Sequence, residues 1–185
     1  YETPYEYHYL QRPYKLIPLL CDGDPEWLNG GKTLKLKIKK GIIFHDHPAF
    51  KGNKRVLKAQ DFITQLKRIA FAPTKSPGYT DDYTLLIDVK KRVSNFPFYL
   101  TLNFFSPIPM EVVEFGHNDL ENQMVGTGPF YLSEGPTSNS IILKKFPGYR
   151  EVIYPQEGDR TAVMEKLLEY GLKQMPFLDE IHFHV

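Results

Sequence analysis

Residues 33–40, TLKLKIKK, carry the pattern that most restricts how this chain can fold. Apolar residues at positions 34, 36 and 38 alternate with lysines at 35, 37 and 39. Successive side chains of a β-strand point to opposite faces, so the alternation predicts a strand with one buried and one solvated face. Lysine on the solvated face also discourages edge pairing, so the basic run requires no binding partner. Gly41 ends this strand, and residues 42–44 are predicted to form a short continuation.

Three segments have the features of helices. Residues 58–72 place apolar side chains on one face at i, i+3 and i+4 spacing, and a proline follows them. Residues 161–171 repeat this pattern, with Asp159 or Thr161 as the cap and a glycine as the stop. A short helix is also predicted over residues 109–116, which begin with proline and end with glycine.

Strands and turns account for most of the rest. Four segments have the character of strands: residues 83–90, 129–135, 140–146 and 178–185. The second and third of these are predicted to pair as a hairpin. Three segments are rich in turn residues and are predicted to be loops: 28–33, 73–82 and 147–160. Residues 1–20 contain three prolines and are expected to be extended and irregular, while 95–104 fits either helix or strand. This order of elements predicts a mixed α/β or α+β domain.

Composition limits the function classes. The 185 residues suit one domain or slightly more, and 23 basic against 22 acidic residues give a net charge of +1. Binding to nucleic acid or to an anionic membrane is not predicted, because both need a clear basic excess. No apolar run is long enough to span a membrane. The single cysteine, Cys21, is interpreted as a buried small side chain without a catalytic partner. The chain begins at Tyr1 without signal-peptide features, which indicates a soluble mature protein or a piece of one.

The glycine-rich stretch QMVGTGPFYL, residues 123–132, raises the question of a phosphate loop. A dinucleotide fingerprint would need a third glycine where Tyr131 stands, and a P-loop would need Gly-Lys-Ser/Thr. Both are missing, and the following residues look like a strand. We therefore expect residues 126–129 to form a tight turn that opens the hairpin and contacts no phosphate. Gly126 and Gly128 would supply positive φ or a close backbone approach.

Histidines offer a different hypothesis. His45, Asp46 and His47 are legitimate zinc ligands, and His182 and His184 share one face of a predicted strand. A metal-dependent hydrolase built on these side chains is therefore an alternative function. Zinc sites require three or four converging ligands, whereas the sequence shows only pairs and no HExxH-type helix. Loop and surface histidines are the simpler interpretation, with no metal bound.

Three separated segments resemble one family in the same order. Residues 21–68 include GKTLKLKIKKGIIFHD followed by the helix AQDFITQLKR, residues 125–149 begin with VGTGPFYL, and residues 177–185 read FLDEIHFHV. These segments resemble the large extracellular solute-binding proteins of peptide and nickel ABC importers, the class of dipeptide- and oligopeptide-binding proteins. The resemblance covers most of the chain, and its specificity lies in the combination of segments.

Fifteen positions carry this resemblance, and they are interpreted as a structural signature and not as ligand contacts. They are Gly31, Lys32, Thr33, Gly41, Phe44, His45, Asp46, Ala59, Asp61, Gly126, Thr127, Gly128, Pro129, Phe130 and Asp179.

The resemblance implies a fold. It is an α/β (mixed α+β) fold, part of lobe one of a type II periplasmic-binding-protein-like architecture with a mixed β-sheet and flanking helices. Residues 33–116 would approximate the smaller subdomain. Residues 123–185 would contain a hairpin, a helix and a strand that return toward the main lobe. The second lobe is expected to be absent from residues 1–185.

The resemblance also implies a function. The chain would belong to the substrate-binding component of an ABC importer, which captures a peptide or similar solute outside the cytoplasmic membrane and delivers it to the permease subunits. No catalysis, cofactor, metal or nucleic acid is expected. The location would be periplasmic or extracytoplasmic, with a lipid anchor possible in the full-length protein. Residues 1–185 alone are expected to bind ligand weakly or not at all, because ligand contacts of the relatives lie largely on the second lobe.

Several positions depart from the family pattern. Lys58 stands where a Thr or Ser helix cap is usual, which predicts a cap weaker by about 1 kcal/mol. Pro147-Gly148 replaces the usual Asn-Pro, and the connection at 73–82 is shorter than in relatives. A lobe used as a protein-interaction module is a further alternative.

Overall fold

A computed structural model describes residues 1–69, 74–117, 120, 123–134 and 140–184. The strands are β1 (Tyr5–Tyr7), β2 (Leu16–Pro18), β3 (Glu26–Leu28), β4 (Thr33–Lys37), β5 (Thr74–Asp81), β6 (Thr84–Val89), β7 (Phe130–Glu134), β8 (Ser140–Lys145), β9 (Val152–Ile153), β10 (Gln174–Met175) and β11 (Glu180–His184). The α-helices are α1 (Ala59–Ile69), α2 (Phe96–Tyr99), α3 (Met110–Phe115) and α4 (Arg160–Met164). Short 3-10 helices occupy Asn29–Gly31, Pro48–Phe50, Asn103–Phe105 and Leu167–Tyr170.

The largest sheet has the order β3-β4-β6-β5 and supports the main hydrophobic core. The predicted alternation holds in β4, where Leu34 and Leu36 are fully buried while Lys37 is exposed. The strand is shorter than predicted because the backbone changes partners after Lys37. There Ile38 forms an isolated bridge to Cys21, which is buried as expected. The predicted continuation at 42–44 is reduced to one bridge between Ile43 and Val56.

Helix α1 packs its apolar face into this core, as its periodicity predicts. Phe62, Ile63 and Leu66 are all buried. At its start, the Asp61 carboxylate accepts a hydrogen bond of 2.8 Å from the backbone N–H of Lys58. This bond satisfies one backbone donor at the helix start, although Lys58 cannot cap with its own side chain. The predicted end of the helix at residues 70–73 lies outside the described residues.

The loop prediction for residues 73–82 is wrong, because β5 occupies most of that segment. Proline and glycine are typical turn residues, yet Pro77 and Gly78 pair with Ile87 and Leu86 of β6. An edge strand tolerates proline because one side of its backbone has no partner strand to satisfy. Two register shifts accompany the pairing, between Thr74/Ser76 and between Tyr79/Asp81. Such bulges let a strand of irregular composition stay in a sheet.

The prediction of one continuous helix over 161–171 is also wrong. Helix α4 ends at Met164, Lys166 adopts a left-handed φ of 56°, and a 3-10 helix follows. The predicted cap is confirmed, since the Asp159 carboxylate accepts a bond of 3.0 Å from the Ala162 N–H. Only Ala162 of α4 is buried. A helix without a buried apolar face lacks the tertiary packing that usually sustains its length.

The C-terminal part of the chain builds a second sheet of order β11-β8-β7. The predicted hairpin of β7 and β8 is observed, while its tip at 135–139 lies outside the described residues. The segment expected to be irregular near the N-terminus contains the pair β1–β2, and the loop at 147–160 contains β9, which pairs with β10. The ambiguous segment 95–104 forms α2 and the start of a 3-10 helix.

The described strand pairs are all antiparallel. The described residues form both helices and sheets, so the mixed α/β fold class is confirmed. Among the described helices, none combines the length and the apolar character that crossing a membrane demands.

The substitution Phe62→Ala tests the importance of the α1 contact. Phe62 is 1% exposed, so removing its ring should leave a cavity and lower the free energy of unfolding by about 3–5 kcal/mol in urea titrations. Phe104→Ala is the matched control, because the side chain of Phe104 is 60% exposed. Its effect should stay below about 0.5 kcal/mol. Equal losses for the two variants would contradict this description of the core.

Candidate functional site

The glycine-rich turn is held by one histidine. His45 donates its backbone N–H to the Gly126 carbonyl oxygen at 2.8 Å, and its Nε2 lies 2.8 Å from the Gly128 carbonyl oxygen. A carbonyl oxygen only accepts, so Nε2 carries the proton. The chain bends over residues 127–129 and β7 begins at Phe130. This geometry leads into a strand and differs from a phosphate loop, which would lead into a helix.

Neither glycine of the turn has a positive φ, so backbone conformation does not explain them. A Cβ on Gly126 would lie 3.3 Å from Cδ1 of Tyr1, closer than an ordinary contact. A Cβ on Gly128 would meet the side chain of Glu2 at 3.8 Å, which is normal packing. Positive φ and a close backbone approach were the two predicted explanations for these glycines. The close approach is observed, and it is observed at Gly126.

A buried carboxylate ties this turn to two distant segments. Glu2 is 7% exposed and accepts four hydrogen bonds. Thr127 donates its hydroxyl at 2.9 Å and Tyr149 donates its hydroxyl at 3.0 Å. Arg150 donates from both terminal nitrogens at 2.8 Å, which is a bidentate ion pair. We call Glu2, Thr127, Tyr149 and Arg150 the Glu2 hub.

Sequence reasoning missed the ion pair at the centre of the Glu2 hub. Thr127 was part of the structural signature, and Tyr149 ends a segment that carries the family resemblance. Glu2 and Arg150 were not singled out. They lie far apart in the chain, and a single sequence gives no measure of contacts between distant positions. The only available hint is an acidic residue within the Tyr- and Pro-rich start of the chain.

Two cavities meet at Lys39 and Arg150. The larger has a volume of about 750 Å³ and is lined in part by Lys37, Lys40, Asp22, Asp81, Lys39 and Arg150. The smaller has a volume of about 390 Å³ and is lined in part by Glu6, Tyr9, Glu151, Met175, Lys39 and Arg150. Both volumes fall in the range of small-molecule sites.

Lys39 places a second positive charge on both cavities. Its ammonium donates to the carbonyl oxygens of Leu19 at 3.0 Å and Pro18 at 3.4 Å. Burial lowers the pKa of Lys39, and the positive charge of Arg150 lowers it further. The hub limits this repulsion, because Glu2 neutralises the Arg150 guanidinium directly. Charged side chains beside apolar walls can orient a polar ligand. The two cavities therefore have the chemical means to bind such a ligand.

The histidines do not assemble a metal site. His45 is committed to Gly128, while Nε2 of His47 lies 2.9 Å from Oε1 of Gln123. Asp46 lines a separate cavity with Ile43 and Lys54, among others. Within the described ranges, no group of three or more His, Cys, Asp or Glu side chains is placed to hold a metal ion. The hydrolase hypothesis therefore gains no support.

The second histidine pair is also engaged elsewhere. On β11, Nε2 of His182 lies 2.9 Å from a carboxylate oxygen of Glu180, and the rings of His182 and His184 are 6.4 Å apart. This pair is exposed on a strand of the second sheet, whereas His45 and His47 lie in the segment between β4 and α1. The structure thus does not bring the two predicted histidine groups together.

The remaining signature positions lie at corners of the fold. Gly31 has a φ of 84°, and a Cβ there would lie 2.6 Å from Cδ of Arg92. Lys32 is exposed, and the Thr33 hydroxyl donates to Asp88 at 2.6 Å. Gly41 has a φ of 79°, which explains why the strand pattern ends there.

Other signature positions build the core around α1. Phe44 is 1% exposed and Ala59 is fully buried. Asp61 is fully buried and pairs with Arg55 at 2.7 Å. Near the second sheet, the Pro129 carbonyl oxygen accepts from Phe146 and the Asp179 carbonyl oxygen accepts from Lys145, each at 2.8 Å. These contacts are structural, and the residues that make them line neither cavity beside Arg150, whereas Gly41 lines the larger one.

Comparison with known families decides the assignment. Residues 15–185 match the family described as bacterial extracellular solute-binding proteins, family 5 Middle. The chain belongs to this family. Family 5 members are, by that description, extracellular solute-binding proteins, and the recognised resemblance is confirmed.

Solved structures show the same fold. DppA from Helicobacter pylori in complex with the peptide STSA is 20% identical at a TM-score of 0.69, covering 80% of this chain and 34% of that chain. AppA from Bacillus subtilis in complex with a nonapeptide is 20% identical at a TM-score of 0.69, covering 100% and 34%. NikZ from Campylobacter jejuni in complex with Ni(L-His) is 13% identical at a TM-score of 0.66, covering 80% and 30%. This family 5 chain therefore spans about a third of the length of the structures it matches.

The substitution Glu2→Gln tests the Glu2 hub. Removing the charge leaves the largely buried Arg150 guanidinium without its counter-ion, so the free energy of unfolding should fall by about 3 kcal/mol. Chemical denaturation monitored by circular dichroism measures this loss. Glu26→Gln is the control, since Glu26 makes an exposed pair with Lys35 whose loss should cost below about 1 kcal/mol. A hub variant as stable as the control would show that the hub does not hold the fold.

The buried His45 gives a pH dependence. Burial lowers the pKa of His45 from 6.5, although its bond to Gly128 and the charges of Glu2 and Asp46 oppose this. Well above pH 6.5 neither the folded nor the unfolded state binds a proton at His45. As pH falls below 6.5 the unfolded chain is protonated first, so stability declines until the folded pKa is reached.

We expect the loss of stability between pH 7 and pH 5 to be smaller in His45→Gln than in the wild type. Denaturation midpoints across this range measure it. His184→Gln, on the exposed strand β11, should keep the wild-type slope. If all three proteins share one slope, His45 does not contribute to the pH dependence.

Proposed function

We propose that this chain is part of the substrate-binding component of an ABC importer. The component captures a peptide or similar solute outside the cytoplasmic membrane and delivers it to the permease subunits. The observation that carries the proposal is the family match over residues 15–185. The two cavities beside Arg150 support it, because they combine apolar walls with a few charged groups, as ligand sites do.

We propose a role in binding without catalysis. The one cysteine illustrates why: Cys21 is fully buried, and burial raises the pKa of its thiol to about 12. A thiol of this kind holds no nucleophilic thiolate near neutral pH. The Glu2 hub points the same way, since its carboxylate is saturated with hydrogen bonds and is committed to holding the structure.

The domain organisation follows from the proposed function. Residues 1–185 would supply part of lobe one, with a smaller subdomain at about 33–116 and a return toward the main lobe at 123–185. A second lobe would close over the ligand, driven by the better contacts of the closed state. Location outside the cytoplasmic membrane, with a lipid anchor in the full-length protein, belongs to the same proposal.

Ligand capture by the protein expressed from its complete reading frame tests this function. We expect native mass spectrometry to show one ligand per protein after incubation with a mixture of peptides from two to nine residues. Residues 1–185 alone should retain no peptide, because the matched structures are about three times as long. Nickel-histidine is tested in parallel as a non-peptide solute. Failure of the intact protein to retain either kind of solute, or tight binding by residues 1–185 alone, would contradict the proposal.

A further inference from the structure

The smaller cavity has an excess of negative charge. Four charged side chains line it: Glu6, Glu151, Lys39 and Arg150. The positive charge of Arg150 is already neutralised by the bidentate pair with Glu2. Two carboxylates then face one ammonium, so the cavity favours a group with one positive charge. The larger cavity has the opposite balance, with three lysines against two aspartates once Arg150 is discounted.

Of the two carboxylates in the smaller cavity, Glu6 is the one that is more withdrawn from water. It lies in the middle of β1 and is half-buried. Within the part of the chain that the structure describes, its carboxylate makes no hydrogen bond and no ion pair. Burial raises the pKa of Glu6, the charge of Glu2 raises it further, and Arg150 and Lys39 oppose the shift. A half-buried carboxylate without a hydrogen-bonding partner is unfavourable, and a donor that entered the cavity would relieve this cost.

The walls of the cavity restrict what can enter. Ile17, Leu19, Val152 and Ile153 provide an apolar lining. Near them, the Tyr9 hydroxyl lies 3.5 Å from the Met175 sulfur. A metal ion fits poorly, because the described residues contain no group of three or more suitable ligands. A cation attached to a carbon skeleton fits both the charge and the walls, and a volume of about 390 Å³ admits one or two amino-acid residues.

We propose that the smaller cavity binds the primary ammonium group of a ligand, with Glu6 as its acceptor and the apolar walls against the adjoining carbon chain. Lys39 and Arg150, on the same cavity, would face the carbonyl or carboxylate end of that ligand. The amino terminus of a peptide or a free amino acid has this chemistry. Where the ligand is the transported solute, this inference rests on the proposed function.

The test uses the intact protein and two mixtures of short peptides that differ only in acetylation of the amino terminus. Wild-type protein should bind the free-amine mixture at least about 10-fold more tightly, as expected for a hydrogen bond to a charged group. Glu6→Gln should remove this preference and leave binding of acetylated peptides unchanged. Glu26→Gln, at the exposed pair with Lys35, should behave as the wild type. Equal binding of the two mixtures by the wild type, or an unchanged preference in Glu6→Gln, would overturn the proposal.

A second measurement separates this inference from the proposed function. If the intact protein binds neither peptide nor nickel-histidine, the proposed function fails, and the ammonium site is tested by itself with n-butylammonium and n-butanol. Met175 lines the cavity, and its methyl group gives a resolvable NMR signal once assigned among four methionines. n-Butylammonium should shift this resonance in the wild type but not in Glu6→Gln, and n-butanol at the same concentration should shift it in neither. Absence of the ammonium-specific shift would overturn the ammonium site by itself.

Discussion

The ion pair between Glu2 and Arg150 is the contact on which the arrangement of this chain depends. It is bidentate and largely withdrawn from water, and two hydroxyls complete the hydrogen bonding of the carboxylate. A buried pair of this kind contributes little net stability when intact, but the loss of one partner is costly because the other charge stays behind. The Glu2 hub therefore connects the N-terminal segment to the turn before β7 and to the segment after β8.

The same ion pair determines the character of the two cavities. Arg150 lines both of them, and a free guanidinium would make both attractive to anions. Because Glu2 balances the charge of Arg150, the net charge of each cavity is set by its other residues. Lysines dominate the larger cavity, whereas Glu6 and Glu151 dominate the smaller one. A structural ion pair thus leaves two neighbouring spaces with opposite preferences for charge.

The parts of the fold that were predictable from sequence are those whose residues satisfy a local period. Strand β4 and helix α1 were predicted because their buried faces repeat every second residue or every third and fourth residue. Strand β5 was missed because Pro77 and Gly78 indicate a turn, and only its position at the edge of the sheet makes them acceptable. The helix over 161–171 was predicted to be too long. Its residues do follow a helical period, but the structure buries only Ala162 of α4.

The candidate site was less predictable than the fold. The turn at 126–129 could be recognised by its glycines, but the reason for Gly126 is a tyrosine ring at the other end of the sequence. The hub and the cavities combine residues from distant segments, and no local pattern links Glu6 or Glu2 to Arg150. The spacing of His45 and His47 was misleading for the same reason, because each of these two rings bonds to its own distant partner.

The separation of the hub residues along the chain also has a consequence for synthesis. The partners of Glu2 follow it by 125, 147 and 148 residues. At typical rates of translation, the N-terminal segment is made on the order of 10 s before Arg150 exists. The hairpins and α1 can form from neighbouring segments during that interval, but the carboxylate of Glu2 cannot yet be buried in its final place. Burial of the Glu2 carboxylate is therefore completed only after the segment following β8 has been made, whereas Tyr5 of β1 can already donate its backbone N–H to Leu100 and pack in the main core.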